Sequence, residues 1–224
     1  MESLFGIVGD GFVLLAADCN SARSIMVMRD DMDKMRVLDD NKIVAAVGDA
    51  ADRDQFCEFV EKNVTLYRMR TGIPLSTKAV AHWTRRQLAT ALRKGPYQTD
   101  MLIAGYDREG GVTERDDEDG GPSAAAGDTD LPDADGGGGA PSLYFMDYLA
   151  SLKKLNFAVH GYASFFSYGI LDKYYKENMT VEEAVELLRK CLFEIKKRLV
   201  INQARFMVRI VDRNGVRLLD TIEV

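Results

Sequence analysis

Residues 1–24 read MESLFGIVGDGFVLLAADCNSARS, and the two apolar runs in this stretch decide the fold. The runs, Leu4–Val8 and Phe12–Ala17, flank a turn at Asp10-Gly11. A glycine-containing turn between two strand-like runs predicts a β-hairpin, and the apolar second run indicates a buried strand. That run leads directly into Asp18. The hairpin therefore places a carboxylate close to the first residues of the chain, where it either serves a reactive terminal residue or forms a structural ion pair.

The remaining chain contains groups of strand-like runs separated by two helical stretches each. Strand-like runs occur at residues 25–28, 35–38, 43–47, 100–107, 143–150 and 157–160, and we expect the first three to be buried on one or both faces. A helical period of apolar residues follows Asp49 and ends near Gly72. Ser76 is expected to cap a second helix, which ends before Gly95-Pro96.

The C-terminal half repeats this arrangement. Residues 163–175 predict a third helix, and Thr180 with Glu183 predicts a capping box at the start of a fourth. Two alternating runs around Asn214-Gly215 then predict a hairpin with a type I′ turn. Consecutive helix pairs disfavour a doubly wound parallel sheet. We therefore predict an α+β fold in which two antiparallel sheets pack together with helix pairs outside.

An acidic segment separates the two strand-like runs in the middle of the chain. Residues 110–142 carry nine acidic residues and one basic residue, a net charge of −8, whereas the whole chain carries −6. This segment of Gly, Asp, Ala and Pro cannot bury enough apolar surface to offset the entropy of ordering, so it predicts a disordered insertion in a hairpin. A linker between two domains is the alternative. We predict a single domain over residues 1–224, with no basic surface for nucleic acid.

Cysteine and histidine content excludes several classes of site. The three cysteines are far apart in the sequence, which argues against a disulfide framework and fits a reducing compartment. Two histidines without metal-ligand spacing predict no metal centre, and nothing indicates an organic cofactor. The sequence has no signal-peptide pattern and no apolar run long enough to span a bilayer. We expect a cytoplasmic or nuclear protein without membrane contacts.

One group of residues has the chemistry of a catalytic site. A lysine and an aspartate beside a chain terminus, here Lys34 and Asp18, could lower the pKa of the terminal amine and orient it as a general base. Gly48 would let backbone N–H groups approach an oxyanion. Other patterns are weaker: the glycines near Gly9 lack nucleotide-loop spacing, residues 29–34 lack the EF-hand pattern, and Cys19 has no base nearby in the sequence.

These residues and the order of elements resemble the proteasome beta-subunit family of N-terminal nucleophile hydrolases. The clearest matches are GFVLLAAD followed by Lys34, AVGDAADRDQF, and YGILDKYYKENMTVEEAVELLRKCL. Further stretches are similar to a non-catalytic member: KNVTLYRMRTGIPLS, TRRQLATALR, LIAGYD, LYFMDYLA and HGYASFF. The resemblance implies a four-layer αββα sandwich. It also implies that Asp18 and Lys34 match the family's buried ion pair and Gly48 its oxyanion glycine.

The same resemblance shows what a catalytic member would need and this chain lacks. Catalytic relatives expose a threonine as the first residue, but this chain begins Met1-Glu2-Ser3 and has no threonine before Thr65. The family's Gly-Ser-Gly stretch is replaced by residues 161–163, Gly-Tyr-Ala, and residues 196–202 contain neither the supporting aspartate nor the serine. We therefore expect no catalytic residues, with Asp18 and Lys34 kept as a structural pair. The alternative is a serine hydrolase formed by exposure of Ser3.

The resemblance further implies a structural role in the 20S proteasome. The chain would lie beside other beta subunits in a seven-membered ring, between an alpha ring and the opposite beta ring, and would help to enclose the chamber for ubiquitin-dependent protein degradation. An independent regulatory module that uses the acidic segment is another alternative, which predicts a monomer. Aromatic residues are expected either at subunit contacts or in the core: Tyr144, Phe145, Tyr148, Tyr174 and Tyr175.

Overall fold

The computed structural model describes residues 2–23, 26–108 and 139–224. The strands are β1 Ser3–Gly9, β2 Phe12–Asp18, β3 Ser21–Arg23, β4 Met26–Arg29, β5 Met35–Asp39, β6 Lys42–Gly48, β7 Thr99–Asp107, β8 Ala140–Met146, β9 Leu152–Lys154, β10 Phe157–Gly161, β11 Arg205–Asp212, β12 Gly215–Leu218 and β13 Ile222–Glu223. The helices are α1 Ala50–Thr71, α2 Thr77–Ala91, α3 Ser164–Tyr174 and α4 Val181–Arg198.

The first hairpin forms the centre of a six-stranded sheet. Strands β1 and β2 pair from Leu4–Ala17 to Gly9–Phe12, so the turn consists of Asp10 and Gly11, as predicted. Gly11 has a φ of 71°, which glycine adopts without strain. All seven residues of β2 are buried, because β1 covers one edge and β11 the other while both faces are packed. The strand order is β10-β1-β2-β11-β12, and β13 also pairs with β11.

A second sheet contains the middle of the sequence. Its order is β5-β6-β7-β8-β9, and all pairs within both sheets are antiparallel. Strands β7 and β8 pair directly from Met101–Met146 to Asp107–Ala140. The two strands that flank the acidic segment are therefore neighbours, as the predicted hairpin requires.

Three apolar clusters show how the sheets and helices are layered. One cluster lies between the six-stranded sheet and the helices α3 and α4, with Phe5, Leu14 and Leu188 among its members. Another lies between the five-stranded sheet and α1 and α2, and includes Phe56 and Met101. The third joins the facing surfaces of the two sheets. Each sheet is thus packed on both faces, which explains why central strands such as β2 and β6 are buried along almost their whole length.

Helix ends follow the predicted sequence signals. The Asp49 side chain caps α1 by accepting hydrogen bonds from two backbone N–H groups, and Gly72 ends the helix with a φ of 71°. Ser76 caps α2. Thr180 and Glu183 form the predicted capping box at the start of α4. These caps satisfy backbone donors that have no partner within the helix, so a capping residue in the local sequence marks where three helices begin.

The strand at residues 26–29 differs from its prediction. We expected a buried strand, but all four residues of β4 are exposed. Strand β4 pairs with β3 in a separate two-stranded ribbon and joins neither sheet. The apolar residues of β4 are therefore not buried by other parts of the described chain.

Two local predictions also need correction. In the β11–β12 hairpin Asp212 pairs with Gly215, so the turn consists of Arg213 and Asn214. Asn214 does not have the positive φ that a type I′ turn requires; Gly215 takes the positive value, 105°. In addition, residues 140–142 belong to β8, where pairing with residues 105–107 orders them, although they were assigned to the disordered insertion. Residues 109–138 lie outside the described residues.

The five aromatic residues divide between core and surface. Tyr144 is a buried member of the cluster beneath α1 and α2. Phe145 packs against the cluster between the two sheets, and Tyr175 packs against the cluster beneath α3 and α4. Tyr148 and Tyr174 are exposed. Across the described ranges, every helix is too short or too polar to cross a lipid bilayer.

His160 is a buried ionisable residue in β10. Its ring stacks on Phe145 with 4.1 Å between ring centroids, and its Nε2 lies 3.1 Å from the carbonyl oxygen of Met101. A carbonyl only accepts hydrogen bonds, so Nε2 carries a proton and donates it. Burial lowers the pKa of His160, and this effect exceeds the opposing attraction of Asp100 and Asp147.

His160 should therefore make stability depend on pH. The unfolded histidine binds a proton near pH 6.5 and the folded one only at lower pH, so stability falls as the pH drops through this interval. We expect His160→Gln to reduce the slope of unfolding free energy between pH 7.5 and 5.5, by at most about 1.4 kcal/mol per pH unit. Urea unfolding across this range measures the slope. His82→Gln, on the exposed face of α2, is the control; equal slopes in both variants would contradict the prediction.

Candidate functional site

Asp18 and Lys34 meet at the end of the buried hairpin. Strand β2 ends at Asp18, and Lys34 immediately precedes β5, where its carbonyl accepts a hydrogen bond from Ala46 N–H of β6. The Lys34 Nζ lies 2.8 Å from Asp18 Oδ2, and both side chains are 0% exposed. The predicted pair is therefore present, and each charge is neutralised away from solvent.

The Asp18 carboxylate also receives two backbone hydrogen bonds. Ser3 N–H donates to Oδ1 at 2.7 Å, and Asn20 N–H donates to Oδ2 at 3.2 Å. Burial raises the pKa of Asp18, and the charge and hydrogen bond of Lys34 and the hydrogen bond from Ser3 N–H oppose the rise. The lysine consequently favours the ionised form of the buried carboxylate.

Ser3 is a hydroxyl residue whose backbone contacts this pair. Its Oγ donates a hydrogen bond to Gln203 Oε1 at 2.7 Å, and the residue is fully buried. A glutamine amide cannot accept a proton as a general base. In addition, the Ser3 nitrogen is a peptide amide as long as Glu2 precedes it. The hydroxyl is therefore held by a neutral partner, and no described residue contacts it as a base.

The Glu2 side chain binds Gly48, the glycine that was predicted to bind an oxyanion. Gly48 N–H donates to Glu2 Oε2 at 2.7 Å. The other carboxylate oxygen, Oε1, lies 3.0 Å from Lys34 Nζ and 3.0 Å from Arg53 Nη1. Lys34 thus bridges Asp18 and Glu2. The backbone donor predicted for an oxyanion is satisfied by a side chain of the same chain.

Glycine is required at two positions around Glu2. Gly48 has a φ of 127°, and a Cβ there would lie 2.2 Å from the Gln98 carbonyl oxygen. Gly161 has a φ of 80°, and a Cβ there would lie 2.0 Å from the Glu2 carbonyl oxygen. Gly161 therefore approaches the backbone of Glu2, and Gly48 that of Gln98, more closely than any side chain would allow.

Residues 161–163 and 196–202 lie where catalytic relatives are expected to have supporting side chains, but here they contribute backbone contacts. Gly161 pairs with Ser3 in the sheet, but Tyr162, at the place of the expected serine, is exposed. Asn202 contributes its carbonyl oxygen, which accepts a hydrogen bond from Asn20 Nδ2 at 3.0 Å. The next residue, Gln203, holds the Ser3 hydroxyl. Both stretches support the backbone at the site, and in the described contacts neither places an ionisable side chain against Asp18 or Lys34.

Cys19 has no properties of a nucleophile. It is buried, and burial raises the pKa of its thiol. The nearby charge of Asp18 also disfavours the thiolate.

Sequence reasoning missed three participants: Glu2, Arg53 and Gln203. Gln203 is 200 residues from Ser3, and no local pattern connects them. Glu2 and Arg53 are 51 residues apart and meet only because α1 begins beside the end of β6.

Comparison with known proteins identifies the family. The family model described as "Proteasome subunit" matches residues 2–113 and 135–211. The chain is 44% identical to each of two Arabidopsis thaliana proteins, "Proteasome subunit beta type-2-B" and "Proteasome subunit beta type-2-A", over 97% of this chain and 94% and 92% of theirs. It is 42% identical to "Proteasome subunit beta type-2" of Oryza sativa subsp. japonica, over 97% of this chain and 89% of the relative.

The matched residues include Asp18, Lys34 and Gly48 together with almost all strands of both sheets. The resemblance read from separate stretches of sequence is thereby confirmed over nearly the whole chain. On this similarity, the chain belongs to the proteasome subunit family.

Proposed function

We propose that the chain is a structural, non-catalytic beta subunit of the 20S proteasome core particle. The observation that carries this proposal is the state of the candidate site: Glu2 blocks the Gly48 N–H, and Gln203 holds the Ser3 hydroxyl. The relatives named as beta type-2 subunits support the placement in a beta ring. In this role the chain helps to enclose the chamber in which other subunits degrade proteins in the ubiquitin-dependent pathway.

The proposed fold is the four-layer αββα sandwich of the N-terminal nucleophile hydrolases. It is supported by the position of the apolar clusters, one between the sheets and one beneath each helix pair. A buried lysine–aspartate pair beside the first strand also agrees with it. In a non-catalytic member, this pair fixes the first hairpin to the segment before β5.

The proposed partners are other beta subunits in the same seven-membered ring, the alpha ring and the opposite beta ring. Large apolar side chains on the surface support such contacts: Phe165 is 80% exposed, and Met28, Met69, Phe193 and Val200 are also exposed. Exposed apolar patches are typical of surfaces covered by other proteins. The proposed location is the cytoplasm and nucleus, which the three free cysteines support.

A serine hydrolase is the second candidate. It is favoured by one contact, since the Ser3 nitrogen already lies 2.7 Å from Asp18 Oδ1 and would be a free amine after removal of Glu2. The hydrogen bond from Ser3 Oγ to Gln203 argues against a serine hydrolase, because a neutral amide cannot act as the general base.

Native mass spectrometry of the untagged chain from its own cells separates these candidates. We expect the chain to leave a multi-subunit particle with Glu2 still attached. We also expect particles containing Ser3→Ala to keep their full peptidase activity, because no step uses this hydroxyl. A mass that begins at Ser3, or loss of one activity in the variant, contradicts the structural role. A chain found only as a monomer contradicts the assembly.

A further inference from the structure

Arg53 is a buried cation at the start of α1. The residue is 3% exposed, and its Nη1 and Nε lie 3.0 Å from Glu2 Oε1 and Asp54 Oδ1. Its third nitrogen, Nη2, is buried and has no hydrogen-bond partner. Since guanidinium stays protonated in proteins, this nitrogen is an unsatisfied donor beside the Glu2 carboxylate.

Three donors converge on the Glu2 carboxylate from separate parts of the chain. Gly48 N–H approaches Oε2, while Lys34 Nζ and Arg53 Nη1 approach Oε1. The Glu2 side chain itself is 20% exposed, although the side chains of Lys34 and Arg53 are 0% and 3% exposed. The carboxylate is therefore the part of the cluster nearest to solvent, with its donors behind it.

The acidic residues near these donors each have a partner of their own. Asp18 pairs with Lys34, and Asp54, which is largely exposed, pairs with Arg53. Gly48 and Arg53 also lie at the N-terminal end of the 22-residue helix α1, whose dipole favours negative charge. The carboxylates of Asp49 and Asp52, near the same end, are engaged by backbone N–H groups of residues 51, 52 and 98. Without Glu2, one backbone donor and two cations would lose a carboxylate.

We infer that Lys34, Gly48 and Arg53 form a carboxylate-binding site, and that Glu2 is its resident ligand. When the Glu2 side chain is absent, the same donors bind a small free carboxylate. This inference rests on the proposed function in one respect, because a chain cut before Ser3 would not retain Glu2. It adds that the site is built to hold an anion and that Glu2 blocks it in the intact chain.

The test is rescue of Glu2→Ala by sodium formate, measured on the full-length chain. We expect the variant to lower the melting temperature by about 5 °C. Formate should then raise it saturably and restore more than half of the loss, whereas sodium chloride at the same ionic strength should not. The wild-type chain should show no saturable response. Glu61→Ala is the matched control, because Glu61 pairs with the partly exposed Arg36 at 2.8 Å without converging donors.

A second variant and a direct measurement locate the binding. Glu2→Ala with Arg53→Gln should lose the formate response. In ¹H–¹⁵N spectra of Glu2→Ala, formate should shift the Gly48 amide with the same midpoint as the thermal response. If Glu2→Ala does not fold, formate in the refolding buffer should increase its folded yield.

Three results would overturn the inference. They are equal formate responses in wild type and Glu2→Ala, an unchanged response in the double variant, and no gain in folded yield when the single variant is unstable. The mass of the wild-type chain is an independent readout. A wild-type mass beginning at Ser3 refutes the proposed function even where formate binds to Glu2→Ala. A wild-type chain that retains Glu2, together with a folded Glu2→Ala variant that does not respond to formate, refutes only the binding site.

Discussion

Replacing Lys34 with methionine is expected to destabilise the full-length chain by about 3–5 kcal/mol, because it leaves Asp18 buried without its cation. The substitution also removes a contact to Glu2. Methionine fills similar volume, so the loss of charge and not a cavity dominates the result. Urea unfolding at pH 7.5 measures the change in the free energy of unfolding.

The pH dependence of this variant provides a further check. Burial already raises the pKa of Asp18, and Lys34 opposes that rise. In Lys34→Met the folded carboxyl therefore holds its proton to higher pH than the unfolded one. The folded state then binds more protons than the unfolded state. The difference in unfolding free energy between wild type and Lys34→Met should therefore shrink as the pH falls toward the usual pKa of an aspartate.

Two controls separate the buried pair from a general effect of losing a lysine. The double variant Asp18→Asn, Lys34→Met should recover more than half of the lost free energy, since neither residue is then charged. Lys62→Met removes an exposed lysine that pairs with Glu58 on the surface of α1, and it should leave stability unchanged. A loss in Lys62→Met as large as in Lys34→Met would contradict the argument.

Gly48→Ala is the second substitution with a large expected effect. The new Cβ would lie 2.2 Å from the Gln98 carbonyl oxygen, and the φ of 127° disfavours any side chain. Because the obstacle is backbone, β6 and the residues before β7 must separate. We expect a loss of at least about 3 kcal/mol in urea unfolding.

Gly11→Ala is the matched control for this variant. Gly11 has a φ of 71°, but nothing lies within 4 Å of the position of its Cβ. This variant has only the conformational cost, about 1–2 kcal/mol. Equal losses in the two alanine variants would show that the close approach to Gln98 contributes nothing.

The sequence allowed prediction of those features that depend on short stretches. Apolar runs and caps predicted the first hairpin, all four helices and their grouping in pairs, because each signal lies within a few residues of the structure it specifies. Strands β3, β9 and β13 were missed, since strands of two or three residues carry no periodicity. The exposure of β4 was missed because composition does not distinguish a core strand from a ribbon that joins neither sheet.

Some residues of the candidate site could be predicted from short stretches of sequence, and others could not. Asp18, Lys34 and Gly48 could be assigned because each lies at the end of a recognisable strand or directly before one. The ligand that fills the site could not be assigned. Glu2 contacts Gly48 and Arg53 only after the two sheets have packed, and Gln203 reaches Ser3 from the far end of the chain.

The pairing of the six-stranded sheet also has a consequence for synthesis of the chain on the ribosome. Strands β1 and β2 are among the first residues made, but their outer neighbours β10 and β11 are among the last. At about 5–20 residues per second, the apolar hairpin waits many seconds for both partners. The five-stranded sheet draws all its strands from residues 35–154 and can form earlier. Nascent chains should therefore present an unpaired apolar hairpin to chaperones until translation is nearly complete.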